Sequence, residues 1–246
     1  MNRTSQLLLA TVIVVAGACQ KDSSPIKTTS AGETNVSPPS DSTAARGHSL
    51  VRVVNAVTAG GDVTVQLSDQ PLFRDVKPGS VTDYREVTNN LANFSVRAAG
   101  TADGFMIDEK ERLLRDGNRY TVFLIADNVS QSSLRVVRDD VIPDSGKARL
   151  RVMHAAPGAP ELDVSIVGAT EKLFAGVDFK SEAGYKDLVP GSVTLELRTK
   201  DATKVLLRLP AIALERGTAT TVVITGAGKL GFLTFTDALM AKTPKP

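Results

Sequence analysis

The chain repeats itself at a spacing near one hundred residues, and this constrains its architecture more than any other feature. Val51-Arg52-Val53-Val54-Asn55-Ala56 is echoed by Leu150-Arg151-Val152-Met153-His154-Ala155 at an offset of 99. Further on the offset becomes 101: Leu72-Phe73 matches Leu173-Phe174, Tyr84 matches Tyr185, and Phe94-Ser95-Val96-Arg97 matches Leu195-Glu196-Leu197-Arg198. Gly117 and Gly217 each precede an apolar run, Tyr120 to Ala126 and Thr220 to Thr225. A period this long is a whole domain, well beyond the twenty to fifty residues of a solenoid unit. Two tandem domains are expected, residues 48–142 and 147–240.

Within each copy the apolar runs are short and rich in Val, Leu, Ile and Thr. Gly, Pro, Asp and Asn punctuate them at strand-like spacing. Alternation in Ser192-Val193-Thr194-Leu195-Glu196-Leu197 points Val193, Leu195 and Leu197 inward along one strand. Only Asp108 to Arg115 has a helical flavour, while its counterpart Thr203 to Leu209 reads as strand. The expected fold is therefore all-β: two tandem antiparallel β-sandwiches of immunoglobulin-like or transthyretin-like type, with about seven strands each. The Cys pair and Trp of true immunoglobulin domains are missing.

The N-terminus reads as an address. Arg3 precedes an apolar run from Leu7 to Val15, and small residues Ala16-Gly17-Ala18 lead to Cys19, the only cysteine of the chain. The run is too short to span a bilayer, which takes about twenty apolar residues; residues 1–18 are expected to be a cleaved export signal. The placing of Cys19 resembles the bacterial lipoprotein signal, which implies lipidation of Cys19 and anchoring in a membrane. An ordinary secretory signal is the alternative. By the same resemblance Gln20 implies the outer membrane where the host has two. With no second thiol, the mature chain can form no intramolecular disulfide. In Asp22 to Gly47 thirteen of twenty-six residues are Ser, Thr or Pro, too polar to offset ordering entropy, so residues 19–47 are expected to form a disordered tether.

In the second copy, Arg151-Val152-Met153-His154-Ala155-Ala156-Pro157-Gly158-Ala159-Pro160-Glu161-Leu162-Asp163-Val164 is followed by Leu173-Phe174-Ala175-Gly176-Val177, Leu188-Val189-Pro190-Gly191 and Leu214-Glu215-Arg216-Gly217-Thr218-Ala219. These segments resemble the bacterial family called domain of unknown function 4397. The first copy departs from the pattern: Asn55 replaces the His, Ala59-Gly60-Gly61 replaces the Pro-bounded turn, and Asp62-Val63 and Leu72-Phe73 persist. The resemblance implies an exported envelope protein built of β-sandwiches, and it implies no catalytic residues.

The chemistry-bearing residues are few. With 29 basic and 27 acidic side chains the net charge is +2, too balanced for a nucleic-acid partner. His154 lies near Asp163 and Ser165 in sequence, yet no nucleophile elbow accompanies them and Asn55 fills the same slot in the first copy, so a turn-organising imidazole is expected. One cysteine and two histidines argue against zinc. Asp103, Asp108, Glu109 and Glu111, and Asp139-Asp140 with Asp144, lack EF-hand spacing and read as solvated turns. Gly226-Ala227-Gly228 reads as a hairpin turn. Tyr84, Tyr185, Phe73 and Phe174 recur at matching positions expected to lie in the cores, and with no Trp a carbohydrate platform is disfavoured. No catalytic, metal or cofactor-binding residue is therefore expected, and no cofactor. The expected role is a non-enzymatic lipoprotein of the bacterial cell envelope. Loops Val57 to Asp62 and Ala156 to Glu161 would meet an envelope-protein or cell-wall partner. A structural spacer is the alternative, with a hydrolase or carbohydrate-binding protein behind it.

Overall fold

The structure, a computed structural model, describes residues 47–88, 91–99, 106–128, 131–139, 146–200 and 204–238. The export signal, Cys19 and the tether lie outside the described residues. All described secondary structure is β.

The first half contains β1 (His48–Asn55), β2 (Val63–Leu67), β3 (Gln70–Val76), β4 (Arg85–Thr88), β5 (Leu91–Ala98), β6 (Met106–Leu113), β7 (Arg119–Ala126) and β8 (Ser132–Arg138). One sheet has the order β4-β1-β7-β8 and the facing sheet β3-β2-β5-β6. Val51, Val53, Val65, Phe73, Phe94, Val96, Val122 and Leu124 fill the space between them. The second half repeats this plan with β9 (Ala148–His154), β10 (Leu162–Ile166), β11 (Lys172–Val177), β12 (Lys186–Leu188), β13 (Gly191–Val193), β14 (Leu195–Thr199), β15 (Val205–Arg208), β16 (Ile212–Leu214), β17 (Thr218–Thr225) and β18 (Gly231–Ala238). Its sheets run β12-β9-β17-β18 and β11-β10-β14-β15, with a small β13-β16 pair. Leu150, Val152, Phe174, Leu195, Leu197 and Ile224 belong to its core. The fold is thus two tandem β-sandwiches.

Three local expectations need correction. The sheets are mixed rather than purely antiparallel, because β1 pairs β7, and β9 pairs β17, in parallel. Each of these pairs is joined through the facing sheet, so no hairpin imposes an antiparallel sense. The alternating run Ser192–Leu197 is two strands: β13 pairs β16 and β14 pairs β10, with the chain changing sheets at Thr194. Leu195 and Leu197 are buried as expected, whereas Val193 is half-buried. The helical flavour of 108–115 is overridden by pairing, since β6 runs beside β5 with Glu111 opposite Asn93. As the charged edge of its sheet, β6 also discourages edge-to-edge association.

The change of offset from 99 to 101 has a structural origin. The β2–β3 connection is a two-residue turn, Ser68-Asp69, with φ of 47° and 65°; both central residues are left-handed, as a type I′ turn demands. The β10–β11 connection is longer. Strand pairing sets Val65 opposite Phe73 and Val164 opposite Phe174, so β2 and β10 correspond at an offset of 99. Asp163 therefore corresponds to Thr64, and the apparent persistence of Asp62-Val63 as Asp163-Val164 is a register slip.

A third core lies between the halves. Val54, Ala56, Phe123 and Ile125 from the first meet Met153, Ala155 and Val223 from the second. On β1, β7, β9 and β17 one face fills the strand's own sandwich and the other fills this junction. All eight residues of β17 are buried in consequence.

Candidate functional site: the junction and its two cavities

Arg52 and Arg151 occupy equivalent points in the middle of β1 and β9, on the junction face. Each guanidinium is anchored by a threonine of the neighbouring parallel strand: Arg52 Nε donates to Thr121 Oγ1 at 2.8 Å and Arg151 Nε to Thr221 Oγ1 at 2.9 Å. Each then reaches across to the other half. Arg52 Nη1 and Nη2 donate to the two oxygens of Asp237, both at 2.7 Å. Arg151 Nη2 donates to Asp139 Oδ1. Asp139 and Asp237 are themselves equivalent, since each follows the residue paired with Tyr120 or Thr220 on β7 or β17. The two ion pairs are thus reciprocal, an arrangement expected of an isologous interface.

Tyrosines complete the layer. The Arg52 guanidinium lies 4.5 Å from the ring centre of Tyr84, and that of Arg151 lies 4.7 Å from the ring centre of Tyr185. These cation–π contacts are strengthened by desolvation. Tyr84 donates its hydroxyl to Asp139 Oδ2 at 3.0 Å, whereas the buried Tyr185 hydroxyl has no hydrogen-bond partner among the described residues. Burial pushes the Tyr185 phenol up to about 12, with Arg151 opposing the shift. Burial works to lower the Arg151 pKa, but Asp139, Tyr185 and Glu182 outweigh it and the guanidinium is held as a cation. Two expectations change here. Asp139 is 2% exposed and is no solvated turn. Phe73 and Phe174 are core residues as expected, whereas Tyr84 and Tyr185 line the junction.

The remaining sequence candidates separate. His154 is wholly buried: its Nδ1 accepts from Ala156 N at 3.3 Å, so Nε2 carries the proton and donates to Pro160 O at 3.1 Å. Asn55 does the same work in the first half, its Oδ1 accepting from Val57 N at 3.2 Å. Burial lowers the His154 pKa and keeps the ring neutral. Asp163 turns elsewhere, accepting from Gly176 N at 2.9 Å and pairing with Lys172 Nζ at 2.8 Å. His154 and Asp163 therefore form no dyad. Asp108 accepts from Leu134 N at 2.6 Å and Glu109 from Asn93 Nδ2; Asp103, Asp140 and Asp144 lie outside the described residues. Gly226-Ala227-Gly228 sits in the β17–β18 hairpin as expected.

Among the described residues, a larger and a smaller cavity open at the junction. The larger, about 1300 Å³, is walled by the whole loop Val57–Asp62, by Asp127 and Gln131, and by Pro157 and Gly226-Ala227 of the second half. Of the paired loop 156–161 only Pro157 reaches it; the rest is tied back by His154. The smaller, about 470 Å³, lies among β6, β8, β9 and the segment 180–185. Neither was legible from motifs. The signal that could have found the junction is a charge repeated at the same place inside two apolar strands, Arg52 and Arg151.

Residues 49–165 match the family described as domain of unknown function (DUF4397). The match takes in the whole first sandwich and runs through β9 into β10, although the motif resemblance was clearest in the second. No curated protein matches. Among solved structures, the C-terminal domain of AlgF from P. aeruginosa is 25% identical, with 37% of this chain and 99% of that chain covered and a TM-score of 0.32. A candidate cell adhesion protein of Bacteroides ovatus is 14% identical over 80% and 98% of the two chains, with a TM-score of 0.26. A carbohydrate-binding module of family CBM26 from Eubacterium rectale, solved with maltoheptaose, is 12% identical over 76% and 96%, with a TM-score of 0.24. At these scores nothing about ligand or partner passes from those proteins to this chain.

Proposed function

We propose that the chain is a non-enzymatic lipoprotein of the bacterial cell envelope, exported and anchored through Cys19, which takes an envelope-protein or cell-wall partner in the cleft edged by Val57–Asp62. One observation carries the reading: a cleft of about 1300 Å³ is assembled from an exposed, Gly-rich loop of one sandwich and from Pro157 and the Gly226 hairpin of the other. Function on such folds resides in loops held by a rigid scaffold, and here Val57 packs on the first core while Thr58, Ala59, Gly60 and Gly61 are exposed. His154 and Asp163 are both committed to backbone and Lys172, which supports a binding role over catalysis.

The test is in-cell crosslinking with mass spectrometry of envelope fractions from wild type, Cys19→Ala, and a variant carrying Thr58→Gly and Asp62→Asn in the loop. Partners captured by wild type and lost from both variants support the reading. The same partners with the loop variant would move the binding surface elsewhere, and membrane retention of Cys19→Ala would remove the anchor. The spacer reading draws on the reciprocal ion pairs, which suit a stiff two-domain segment; it expects loop changes to be silent and a change in domain number to matter.

A further inference from the structure

The smaller cavity is cationic. Arg112, Arg135 and Arg138 of the first half and Arg149 and Lys180 of the second line it, against one carboxylate, Glu182. Arg149 and Lys180 have acidic partners, Asp187 at 2.5 Å and Asp127 at 2.8 Å. Arg112 and Arg135 make no side-chain hydrogen bond or salt bridge among the described residues, and both are exposed. Glu182 is already engaged, accepting from Arg151 Nη1 at 3.2 Å. Like charges so close to one another lie within a Debye length and repel, and among the described residues Asp187, Asp127 and Glu182 offset that repulsion only in part.

The internal repeat supplies a control, because the same corner is built a second time on the other side of the junction. Strand register places Leu233 where Arg135 stands, Thr236 where Arg138 stands and Leu50 where Arg149 stands. Gly79 occupies the place of Lys180, its N–H bonding to Asn55 O as that of Lys180 bonds to His154 O. An ideal Cβ on Gly79 would sit 4.0 Å from Leu233, and Leu50, Gly79, Leu233 and Thr236 bring no charge to that corner. The fold thus needs no cation at these positions to join its halves. We infer that the cationic corner is a binding site for a phosphate group, a use that goes beyond the loop-cleft reading and does not depend on it.

Phosphate fits better than a lone carboxylate. A single guanidinium fork satisfies the two oxygens of a carboxylate, whereas several forks and an ammonium around one cavity match three terminal oxygens and about two charges. A cavity of about 470 Å³ is within the range for small ligands and too small for a folded partner. Bound there, the anion bridges Arg112 and Arg135 of one sandwich to Arg149 of the other. It should therefore stabilise the junction by mass action.

The probe is inorganic phosphate, titrated into the full chain in mild detergent by calorimetry and thermal unfolding, with sodium chloride of matched ionic strength as reference. The expected result is saturable binding with a raised unfolding temperature, weakened at least about tenfold in Arg112→Gln/Arg135→Gln and unchanged in Arg74→Gln, an exposed arginine of β3. Flotation of the Cys19→Ala chain, which lacks the proposed anchor, with phosphatidylcholine vesicles containing phosphatidic acid, against phosphatidylcholine alone, identifies the source: binding that needs phosphatidic acid, that phosphate competes away and that the Arg112→Gln/Arg135→Gln change removes makes a lipid headgroup the natural ligand, and its absence beside saturable phosphate binding makes it a soluble phosphate. No phosphate effect beyond matched chloride, or equal binding by the double variant, would overturn the inference.

Discussion

Arg52 on the first sandwich holds both carboxylate oxygens of Asp237 on the second, at 2.7 Å each, while the equivalent arginine of the second, Arg151, holds the equivalent aspartate of the first, Asp139. The exchange makes each half a counter-ion of the other, and Asp139 also lies 3.8 Å from Arg52 Nη2 within its own half. The side chains involved are 0% to 11% exposed, so their charges are largely withdrawn from water. Removing one member strands a buried charge and is expected to cost about 3–5 kcal/mol. Asp139→Ala should sit at the upper end, because its carboxylate also accepts from Thr121 and Tyr84. Asp237→Ala should cost less, its side chain being 11% exposed against 1% for Asp139. Urea unfolding of the two variants gives the order directly.

The repeat, the strand-rich character and the Phe73 and Phe174 core positions were legible in the sequence, because they depend on period and residue type alone. The junction was not. Alternation reports one buried face, and β1, β7, β9 and β17 bury two, so their near-continuous apolar runs carry the information instead. Asp139 looked like part of an acidic turn because its partner, Arg151, comes from the other half. The split of 192–197 between two sheets was invisible for a similar reason, since Thr194 keeps the alternation while the pairing partner changes.

His154 links stability to pH. Its folded-state pKa lies below the ordinary 6.5 because the ring is buried. Above 6.5 neither folded nor unfolded imidazole is charged; as pH falls below 6.5 the unfolded chain gains a proton that the folded chain resists. Stability should therefore decline on acidification, by at most about 1.4 kcal/mol per pH unit from this group. His154→Asn, which copies the Asn55 arrangement, should remove that component. Urea midpoints at pH 7.5 and pH 5.5 for both proteins check it, and an unchanged slope in the variant would assign the pH dependence to other groups.

The two hairpin glycines beside the cleft should respond differently to alanine. Gly226 has φ +101° and a Cβ there would approach Lys229 O to 2.1 Å, whereas Gly228 has φ +84° with open space around it. Gly226→Ala combines strain with a backbone clash and should cost about 2–3 kcal/mol or rearrange the hairpin. Gly228→Ala should cost about 1 kcal/mol. Thermal unfolding separates them, and equal effects would mean the hairpin yields freely.

The β2–β3 turn holds Ser68 and Asp69 at positive φ, where Asn and Gly are more at ease. Ser68→Asn with Asp69→Gly should raise stability by about 0.5–1 kcal/mol without altering the cleft. A loss of stability would show that the wild-type side chains contribute contacts the turn requires.

The most direct test of the junction is a double-mutant cycle on Arg52 and Asp237, measured by urea unfolding of wild type, Arg52→Ala, Asp237→Ala and the double variant. Reciprocal pairing predicts strong non-additivity: each single change costs several kcal/mol, the second adds little to the first, and the coupling is about 1.5 kcal/mol or more. Additive costs, agreeing within about 0.5 kcal/mol, would contradict the account, because the two sandwiches would then not be held together by the exchange of these side chains.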